Sequence, residues 1–223
     1  MPALQQAMAY SGDIKICGLS TLEAVDAVIA GGATHAGFIF FAKSPRHVLM
    51  EQAAKLSDHA KAGGLKTVAV TVDATDTELA EIIAMMRPDI LQFHGRETPE
   101  RVREIKAHYG LPVMKTLAIA EATDLEKLTP FFGVADRFLL DAKPPKDAVL
   151  PGGNAVSFDW SLVRQLAGEV DYFLAGGLDV DNVQDAISIA NPPALDISSG
   201  VEGAPGVKDI AKIAAFIKAA RGG

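Results

Sequence analysis

The stretch Phe173-Leu174-Ala175-Gly176-Gly177-Leu178 guides the interpretation of the whole chain, because a short apolar run ends there in two glycines. A helical pattern begins close behind it, near Asp179. Glycine adopts positive φ and lets a ligand approach the backbone, and a helix N-terminus offers free N–H groups and partial positive charge. The stretch therefore predicts a strand followed by a phosphate-binding loop, although a plain turn explains a Gly-Gly pair equally well.

A second stretch of the same kind follows about 20 residues later, and it reads Leu195-Asp196-Ile197-Ser198-Ser199-Gly200-Val201-Glu202. In (β/α)₈ barrels, a phosphate site is often formed by the loops after the seventh and eighth strands. Two strand-then-glycine loops near the end of the chain therefore favour the phosphate interpretation over that of an isolated turn.

Working outward from these stretches, strand and helix patterns alternate along the chain. The predicted strands are 13–17, 35–40, 66–72, 89–93, 113–117, 137–140, 171–174 and 194–197. The predicted helices are 21–30, 50–62, 76–86, 99–109, 122–128, 159–166, 180–190 and 207–220. Strict alternation indicates parallel strands joined by helical crossovers, a pattern that doubly wound sheets share. Eight such units in 223 residues favour a single α/β domain over residues 1–223, a (β/α)₈ TIM barrel with residues 1–12 as a loose leader.

The composition limits the class of protein. Hydrophobic residues make up 49% of the chain and charged residues 22%, which is an ordinary globular balance. A net charge of −7 argues against nucleic-acid binding as the main function. The N-terminal residues have no secretory pattern, and no apolar run reaches the roughly 18 residues of a membrane span. We therefore expect a cytoplasmic protein without a membrane partner.

Active residues of such barrels lie on the loops that follow the strands. In the predicted arrangement these positions hold Cys17, Arg46, His94, Asp141, the Gly176-Gly177 pair and the Ser198-Ser199-Gly200 loop. Each has an ordinary alternative: an inert buried thiol, an exposed cation, a satisfied loop histidine, or an aspartate that ends a strand. The five histidines do not repeat at metal-ligand spacing, so we expect no metal site.

Seven segments, read in order, resemble the phosphoribosylanthranilate isomerase family. They are Lys15-Ile16-Cys17-Gly18-Leu19, Gly37-Phe38-Ile39-Phe40 with Ser44-Pro45-Arg46, Gln92-Phe93-His94-Gly95, Leu139-Leu140-Asp141, Phe158-Asp159-Trp160, Ala175-Gly176-Gly177-Leu178 and Asp196-Ile197-Ser198-Ser199-Gly200-Val201-Glu202. Together the matches run from Lys15 to Asp209, almost the whole chain. The resemblance implies a (β/α)₈ barrel that isomerises N-(5-phosphoribosyl)anthranilate in tryptophan biosynthesis without a cofactor.

By this resemblance the substrate is a small phosphorylated aminosugar, and the reaction is an Amadori rearrangement with Asp141 as general acid and Cys17 as general base. Arg46 would bind the aromatic amine end of the substrate. The seventh and eighth loops would bind the phosphate, and the implied substrate-binding residues are Arg46, His94, Gly176, Gly177, Asp196, Ser198, Ser199 and Gly200.

These roles set a condition on two pKa values. Asp141 must be protonated and Cys17 ionised when they act, so the pKa of the aspartate should lie above that of the thiol. Lys15 is two residues before Cys17 and on the same strand face. We expect its ammonium to lower the pKa of the thiol.

The chain departs from the family pattern in two places. Asn154-Ala155 follow Gly152-Gly153 where the family usually has Thr-Gly, and Arg96 stands where an acidic residue is common. Other readings remain open: a histidine-pathway isomerase, which would have an aspartate in place of Cys17; a metal-dependent epimerase; or a non-catalytic phosphate-binding module. A monomer and a homodimer fit the motifs equally well.

Overall fold

The computed structural model of this chain describes residues 9–144, 152–153 and 157–223, and it contains a closed parallel barrel. Eight strands in chain order form this barrel, and β8 pairs with β1 to close it. The strands are β1 (Asp13–Cys17), β2 (His35–Phe40), β3 (Lys66–Thr71), β4 (Ile90–Phe93), β5 (Val113–Ile119), β6 (Arg137–Ala142), β7 (Tyr172–Leu174) and β8 (Ala194–Ile197). The predicted (β/α)₈ TIM barrel is confirmed.

Helices connect the strands around the barrel. The α-helices are α1 (Leu22–Gly31), α2 (Met50–Ala62), α3 (Asp76–Met86), α4 (Pro99–Tyr109), α5 (Val183–Ala190) and α6 (Ile210–Ala220). Their ends follow local chemistry. Thr75 and Glu78 form a reciprocal capping box at α3, and Thr98 caps α4 just before Pro99.

Several predicted helices differ from the structure. The segments predicted at 122–128 and 159–166 are 3₁₀ helices, Ala122–Phe131 and Trp160–Leu166. α5 begins at Val183 because Asp179 first accepts bonds from the N–H groups of Asp181 and Asn182 in a turn. α6 begins at Ile210, because β10 (Val207–Lys208) pairs antiparallel with β9 (Glu202–Ala204) in a small hairpin.

The core has two layers, as the alternation of strand side chains requires. Residues between the strands and the surrounding helices form the larger hydrophobic cluster. A smaller cluster fills the barrel interior and includes Val68, Val70, Met114, Leu139 and Phe173. Cys17 lies in the interior cluster near the carboxyl ends of the strands. The packed interior therefore supports a rigid floor for groups at that end.

The two ends of the described chain meet at the end of the barrel opposite to that of Cys17. Arg221 donates hydrogen bonds to the carbonyls of Tyr10 and Gly12 at 2.6 and 2.8 Å. Residues 1–8 of the segment predicted as a loose leader lie outside the described residues. Across the part that the structure describes, no helix combines the length and the hydropathy needed to span a membrane.

Candidate active site

One pocket at the carboxyl ends of the strands brings most of the predicted site residues together. Eight of the ten line it: Cys17, Arg46, His94, Asp141, Gly176, Gly177, Asp196 and Ser198. Ser199 and Gly200 lie in the short 3₁₀ turn Ser199–Val201 that follows, and they are not among the lining residues. Apolar side chains of β2, β3 and the following loops, among them Ile39, Phe41, Val70 and Val72, complete the walls.

Cys17 ends β1 beside a buried ion pair. Lys15 lies opposite Asp196 in the register of β1 and β8, and its Nζ donates to Asp196 Oδ1 at 2.7 Å. Lys15 is fully buried, and burial opposes its charged form, but Asp196 and Cys17 raise its pKa above the usual value. Gly37 lies opposite Cys17 in the register of β1 and β2, and an added Cβ there would stand 3.0 Å from the thiol sulfur. A glycine at this position therefore keeps the flank of the thiol open.

Asp141 is the last inward-facing residue of β6, and its carboxyl is almost fully buried. Its Oδ1 accepts a bond from the N–H of Ala142 at 2.9 Å, and its Oδ2 lies 3.7 Å from Nε2 of His94. Burial, and next the charge of Asp196, raise the pKa of Asp141 to about 7. Asp141 is therefore a carboxylic acid that can hold its proton near neutral pH, as a general acid must.

The expectation that the pKa of Asp141 lies above that of Cys17 is wrong. Burial raises the pKa of the Cys17 thiol above its usual value, and the charge of Lys15 only partly offsets this. Asp196 adds to the effect of burial, because it binds the Lys15 ammonium and carries a negative charge that opposes thiolate formation. The aspartate therefore titrates below the thiol, not above it.

Arg46 is buried and held by a carboxylate of the eighth loop. Its Nε and Nη2 donate to Oε1 and Oε2 of Glu202 at 2.6 and 2.9 Å. Lys208 Nζ donates to Glu202 Oε1 at 2.8 Å and to the carbonyl of Ser198 at 2.8 Å. Burial opposes the ionised form of Glu202, but Arg46 and Lys208 hold its pKa below the usual value. The alternative that Arg46 is an exposed surface cation is excluded.

The seventh and eighth loops provide backbone at the pocket wall. Gly176 and Gly177 have φ of +86° and +67°, which other residues rarely adopt, and a Cβ on Gly176 would stand 2.6 Å from the amide nitrogen of Ala142. The predicted helix start directly behind these glycines is wrong, since α5 begins at Val183. Ser198 donates from Oγ to the carbonyl of Cys17 at 3.0 Å, which ties the eighth loop to β1.

The described glycines of the sixth loop lie against the same groups. A Cβ on Gly152 would be 2.7 Å from Nε2 of His94 and 2.8 Å from Oδ2 of Asp141, and one on Gly153 would be 2.6 Å from Nη1 of Arg46. Asn154 and Ala155, the departure in this loop, lie outside the described residues. The other departure, Arg96, is exposed, and its backbone N–H donates to Asp73.

Sequence reasoning did not assign roles to Glu202 and Lys208. Glu202 was visible in the last family segment, but its partner Arg46 is 156 residues away. Buried Gln92, which lines the pocket and donates to Thr116 Oγ1 at 3.0 Å, was also missed as a site residue. Among the described side chains, no group of three or more His, Cys, Asp or Glu residues is arranged to hold a metal ion.

Several known proteins with similar sequences and structures carry the same description. Residues 14–219 match the family model of N-(5'phosphoribosyl)anthranilate (PRA) isomerase. An N-(5'-phosphoribosyl)anthranilate isomerase of Mesorhizobium japonicum is 59% identical over 209 residues, which cover 94% of this chain and 95% of that protein.

Two solved structures extend the comparison to the fold. The phosphoribosyl anthranilate isomerase from Thermotoga maritima is 32% identical, with a TM-score of 0.84 over 95% of this chain and 99% of that one. A phosphoribosyl anthranilate isomerase in complex with reduced 1-(o-carboxyphenylamino)-1-deoxyribulose 5-phosphate is 31% identical, with a TM-score of 0.81 and the same coverage of both chains.

Proposed function

The chain belongs to the N-(5′-phosphoribosyl)anthranilate isomerase family, and from this premise we propose that it converts N-(5-phosphoribosyl)anthranilate to 1-(2-carboxyphenylamino)-1-deoxyribulose 5-phosphate in tryptophan biosynthesis. The proposed reaction is an Amadori rearrangement that needs one general acid and one general base. The protein is an isomerase, and the proposal concerns the residues that perform the chemistry.

The observation that carries the mechanism is the pairing of Asp141 and Cys17 in one pocket. Asp141 has a pKa of about 7, so a large fraction of the protein holds a proton on this carboxyl near neutral pH. Cys17 is the described residue of the pocket that can supply a thiolate, and a thiolate is a competent base for an acidified C–H bond. A non-catalytic phosphate-binding module would have no use for this pair.

The reaction begins with opening of the ribose ring. Asp141 donates its proton to the ring oxygen, the C1–O bond breaks with its electron pair going to that oxygen, and the nitrogen lone pair forms an iminium with C1. The iminium acidifies the neighbouring C2–H bond. The Cys17 thiolate removes this proton, and the electrons of the C–H bond form the C1–C2 double bond of an enolamine. Loss of the proton on the C2 oxygen and addition of a proton to C1 then give the ketone.

The other predicted site residues are proposed to bind the two ends of the substrate. Arg46 is proposed to bind the anthranilate carboxylate or to lie over its ring, as a buried guanidinium can do. The positive-φ backbone of Gly176 and Gly177, together with the Ser198-Ser199-Gly200 loop, is proposed to bind the phosphate. His94, close to Asp141, and Asp196, bound to Lys15, complete the proposed substrate-binding set.

The test is turnover of synthetic phosphoribosylanthranilate, followed by the loss of its anthranilate fluorescence. We expect the wild-type chain to be active, and Cys17→Ala and Asp141→Asn each to lower kcat by roughly 10²–10⁴-fold. Circular dichroism and thermal melting of both variants serve as controls for folding. An inactive but folded wild-type chain would leave the binding module as the better reading. Near-normal turnover by Cys17→Ala would refute Cys17 as the base.

A further inference from the structure

The carboxylate of Glu202 is saturated with donors. Oε1 accepts from Arg46 Nε at 2.6 Å and from Lys208 Nζ at 2.8 Å, while Oε2 accepts from Arg46 Nη2 at 2.9 Å and from the N–H of Gly206 at 3.2 Å. Its side chain is 5% exposed, and those of Arg46 and Lys208 are 6% and 2% exposed. A buried carboxylate with four donors occupies one fixed position and fixes whatever is bound to it.

This arrangement determines which part of Arg46 a ligand can use. Glu202 engages the Nε and Nη2 edge of the guanidinium, so the N–H groups of Nη1 and the second N–H of Nη2 are directed away from it. Nη1 lies on the pocket side, next to Gly153. Among the described residues, the bonds from the Arg46 guanidinium go to Glu202, and the edge that faces away from Glu202 offers two parallel donors, which is the geometry that suits a carboxylate.

Within the part of the chain that the structure describes, the charges of these three side chains do not balance one another. Arg46 and Lys208 contribute two positive charges and Glu202 one negative charge, so the buried group carries a formal charge of +1. Lys15 and Asp196 on the adjacent strands already neutralise each other. An uncompensated buried charge is costly, and an anionic ligand group at the free edge of Arg46 would compensate it.

We propose that Glu202 is a positioning residue that, with Lys208, presents one N–H edge of Arg46 to the pocket and makes the site select a ligand carboxylate. This inference rests on the proposed function, in which Arg46 binds the anthranilate end. Lys208 has a second effect, because its bond to the Ser198 carbonyl fixes the hairpin β9–β10 against the start of the eighth loop.

The test compares Glu202→Gln with the wild-type chain on three probes: reduced 1-(o-carboxyphenylamino)-1-deoxyribulose 5-phosphate, its phenylamino counterpart without the carboxylate, and inorganic phosphate. We expect the Kd of the first probe to rise about tenfold or more, as for a weakened charge-assisted contact, and the other two to change by less than about threefold. In turnover, KM should rise by a larger factor than kcat falls. Glu100→Gln, at an exposed position of α4, is the matched control.

Two results with Glu202→Gln would contradict the proposal. Wild-type affinity for all probes in Glu202→Gln, or an equal loss for all three, would overturn the positioning role. If Glu202→Gln does not fold, Lys208→Met tests the same triad and should weaken the first probe selectively, with exposed Lys55→Met as its control. If Lys208→Met binds the first probe as tightly as the wild-type chain does, the inference is overturned.

A measurement that needs no substrate distinguishes failure of the inference from failure of the proposed function. Phenylglyoxal modifies free guanidinium groups, and peptide mass mapping reads the modification of Arg46 separately. We expect Arg46 to react several times faster in Glu202→Gln than in the wild-type chain, because the bidentate partner is lost. An unchanged rate would overturn the positioning role, whereas a wild-type chain that does not bind the reduced product would refute the proposed function alone.

Discussion

At the scale of single residues, the pKa values of Asp141 and Cys17 do not favour the protonation states that the proposed reaction needs. The pKa of Asp141 is about 7, and that of Cys17 is raised above its usual value. Between these two values the predominant form therefore has an ionised carboxylate and a neutral thiol. The reactive form, with one proton moved from sulfur to oxygen, is a minor species that carries the same total number of protons.

This distribution predicts how kcat/KM depends on pH. The singly protonated pair forms as pH rises through the lower pKa and disappears as pH rises through the higher one. We expect a bell-shaped profile whose acidic limb lies near pH 7 and belongs to Asp141, and whose basic limb belongs to Cys17. The order of pKa values expected from the sequence, with the aspartate above the thiol, would assign the two limbs the other way round.

The variants decide between the two assignments. In Asp141→Asn the limb near pH 7 should vanish, and the residual activity should rise only as the Cys17 thiol ionises. In Cys17→Ala the limb that belongs to the thiol should vanish, and the residual activity should fall as Asp141 loses its proton near pH 7. Phosphoribosylanthranilate concentrations well below KM are required, because only then does the rate report the free enzyme. An acidic limb that survives in Asp141→Asn with an unchanged midpoint would contradict this account.

Alanine substitutions at the adjacent residues Gly152 and Gly153 should change different kinetic constants. A Cβ on Gly152 would approach His94 and Asp141 within 2.8 Å, whereas one on Gly153 would approach Arg46 at 2.6 Å. We expect Gly152→Ala mainly to lower kcat, because it displaces the acid, and Gly153→Ala mainly to raise KM, because it displaces Arg46. Gly153 also has a φ of +71°, so alanine there adds backbone strain. Steady-state kinetics of both variants test the split, and the same pattern in both would contradict it.

At the scale of elements, a buried ion pair ties the third and fourth loops to β5. Lys115 Nζ donates to Glu97 Oε2 at 2.6 Å and to the carbonyl of Gly95 at 2.8 Å. Glu97 in turn accepts from the N–H groups of Gly95 and Asp73. Neither charged side chain is more than 4% exposed. Because His94 directly precedes Gly95, this assembly fixes the ring that lies 3.7 Å from Asp141.

We expect the double variant Lys115→Met/Glu97→Gln to fold and to lower kcat about tenfold or more, because a small displacement of positioned groups is costly in rate. Removing Lys115 alone should destabilise the protein more than the double change, since it leaves Glu97 buried and unpaired. Thermal melting and steady-state kinetics measure both effects. Lys106→Met, at a partly exposed ion pair, is the control, and wild-type kcat in the double variant would exclude the positioning role.

The elements predicted well from sequence are those that local patterns specify. The strand starts agree to within one residue, because apolar runs and glycine boundaries are local signals. The predicted start of α6 at residue 207 was wrong, because Val207 belongs to β10, which pairs with β9 (Glu202–Ala204) in a hairpin. That hairpin is held by Arg46, far away in the sequence, and no local pattern reports such a contact.

At the scale of the whole molecule, closure of the barrel creates the site. β8 pairs with β1, so Lys15 meets Asp196 and Ser198 meets Cys17 across 181 residues. The candidate residues and their common face were predictable, because all follow strands of one barrel. The pKa values were not, because they depend on burial and on which charge lies next to which. Lys15 is the example: its sequence position predicted a more acidic thiol, but its partner Asp196 comes from the other end of the chain.

The raised pKa of Asp141 also has a consequence for the stability of the whole protein. An unfolded aspartate has a pKa of about 3.9, whereas burial and the charge of Asp196 raise it to about 7 in the folded protein. Below both values the carboxyl is protonated in both states and contributes nothing. As pH rises from about 4 to about 7, the unfolded chain ionises first, so this group destabilises the fold increasingly. Above about 7 the penalty is constant, at most about 4 kcal/mol for three pKa units.

We therefore expect Asp141→Asn to become more stable relative to the wild-type chain as pH rises. The asparagine is isosteric, its Oδ1 can keep the bond from Ala142, and it never ionises. The difference in the free energy of unfolding, measured by urea titration at several pH values, should grow between about pH 4 and 7 and then level off. Asp185→Asn, on the exposed face of α5, controls for the loss of one carboxylate.

A difference that stays constant from pH 4 to 8 would mean that Asp141 ionises as readily in the pocket as in water, and it would then be a poor general acid. The raised pKa that the proposed mechanism requires of Asp141 should therefore be measurable, without any substrate, as a loss of stability at neutral pH.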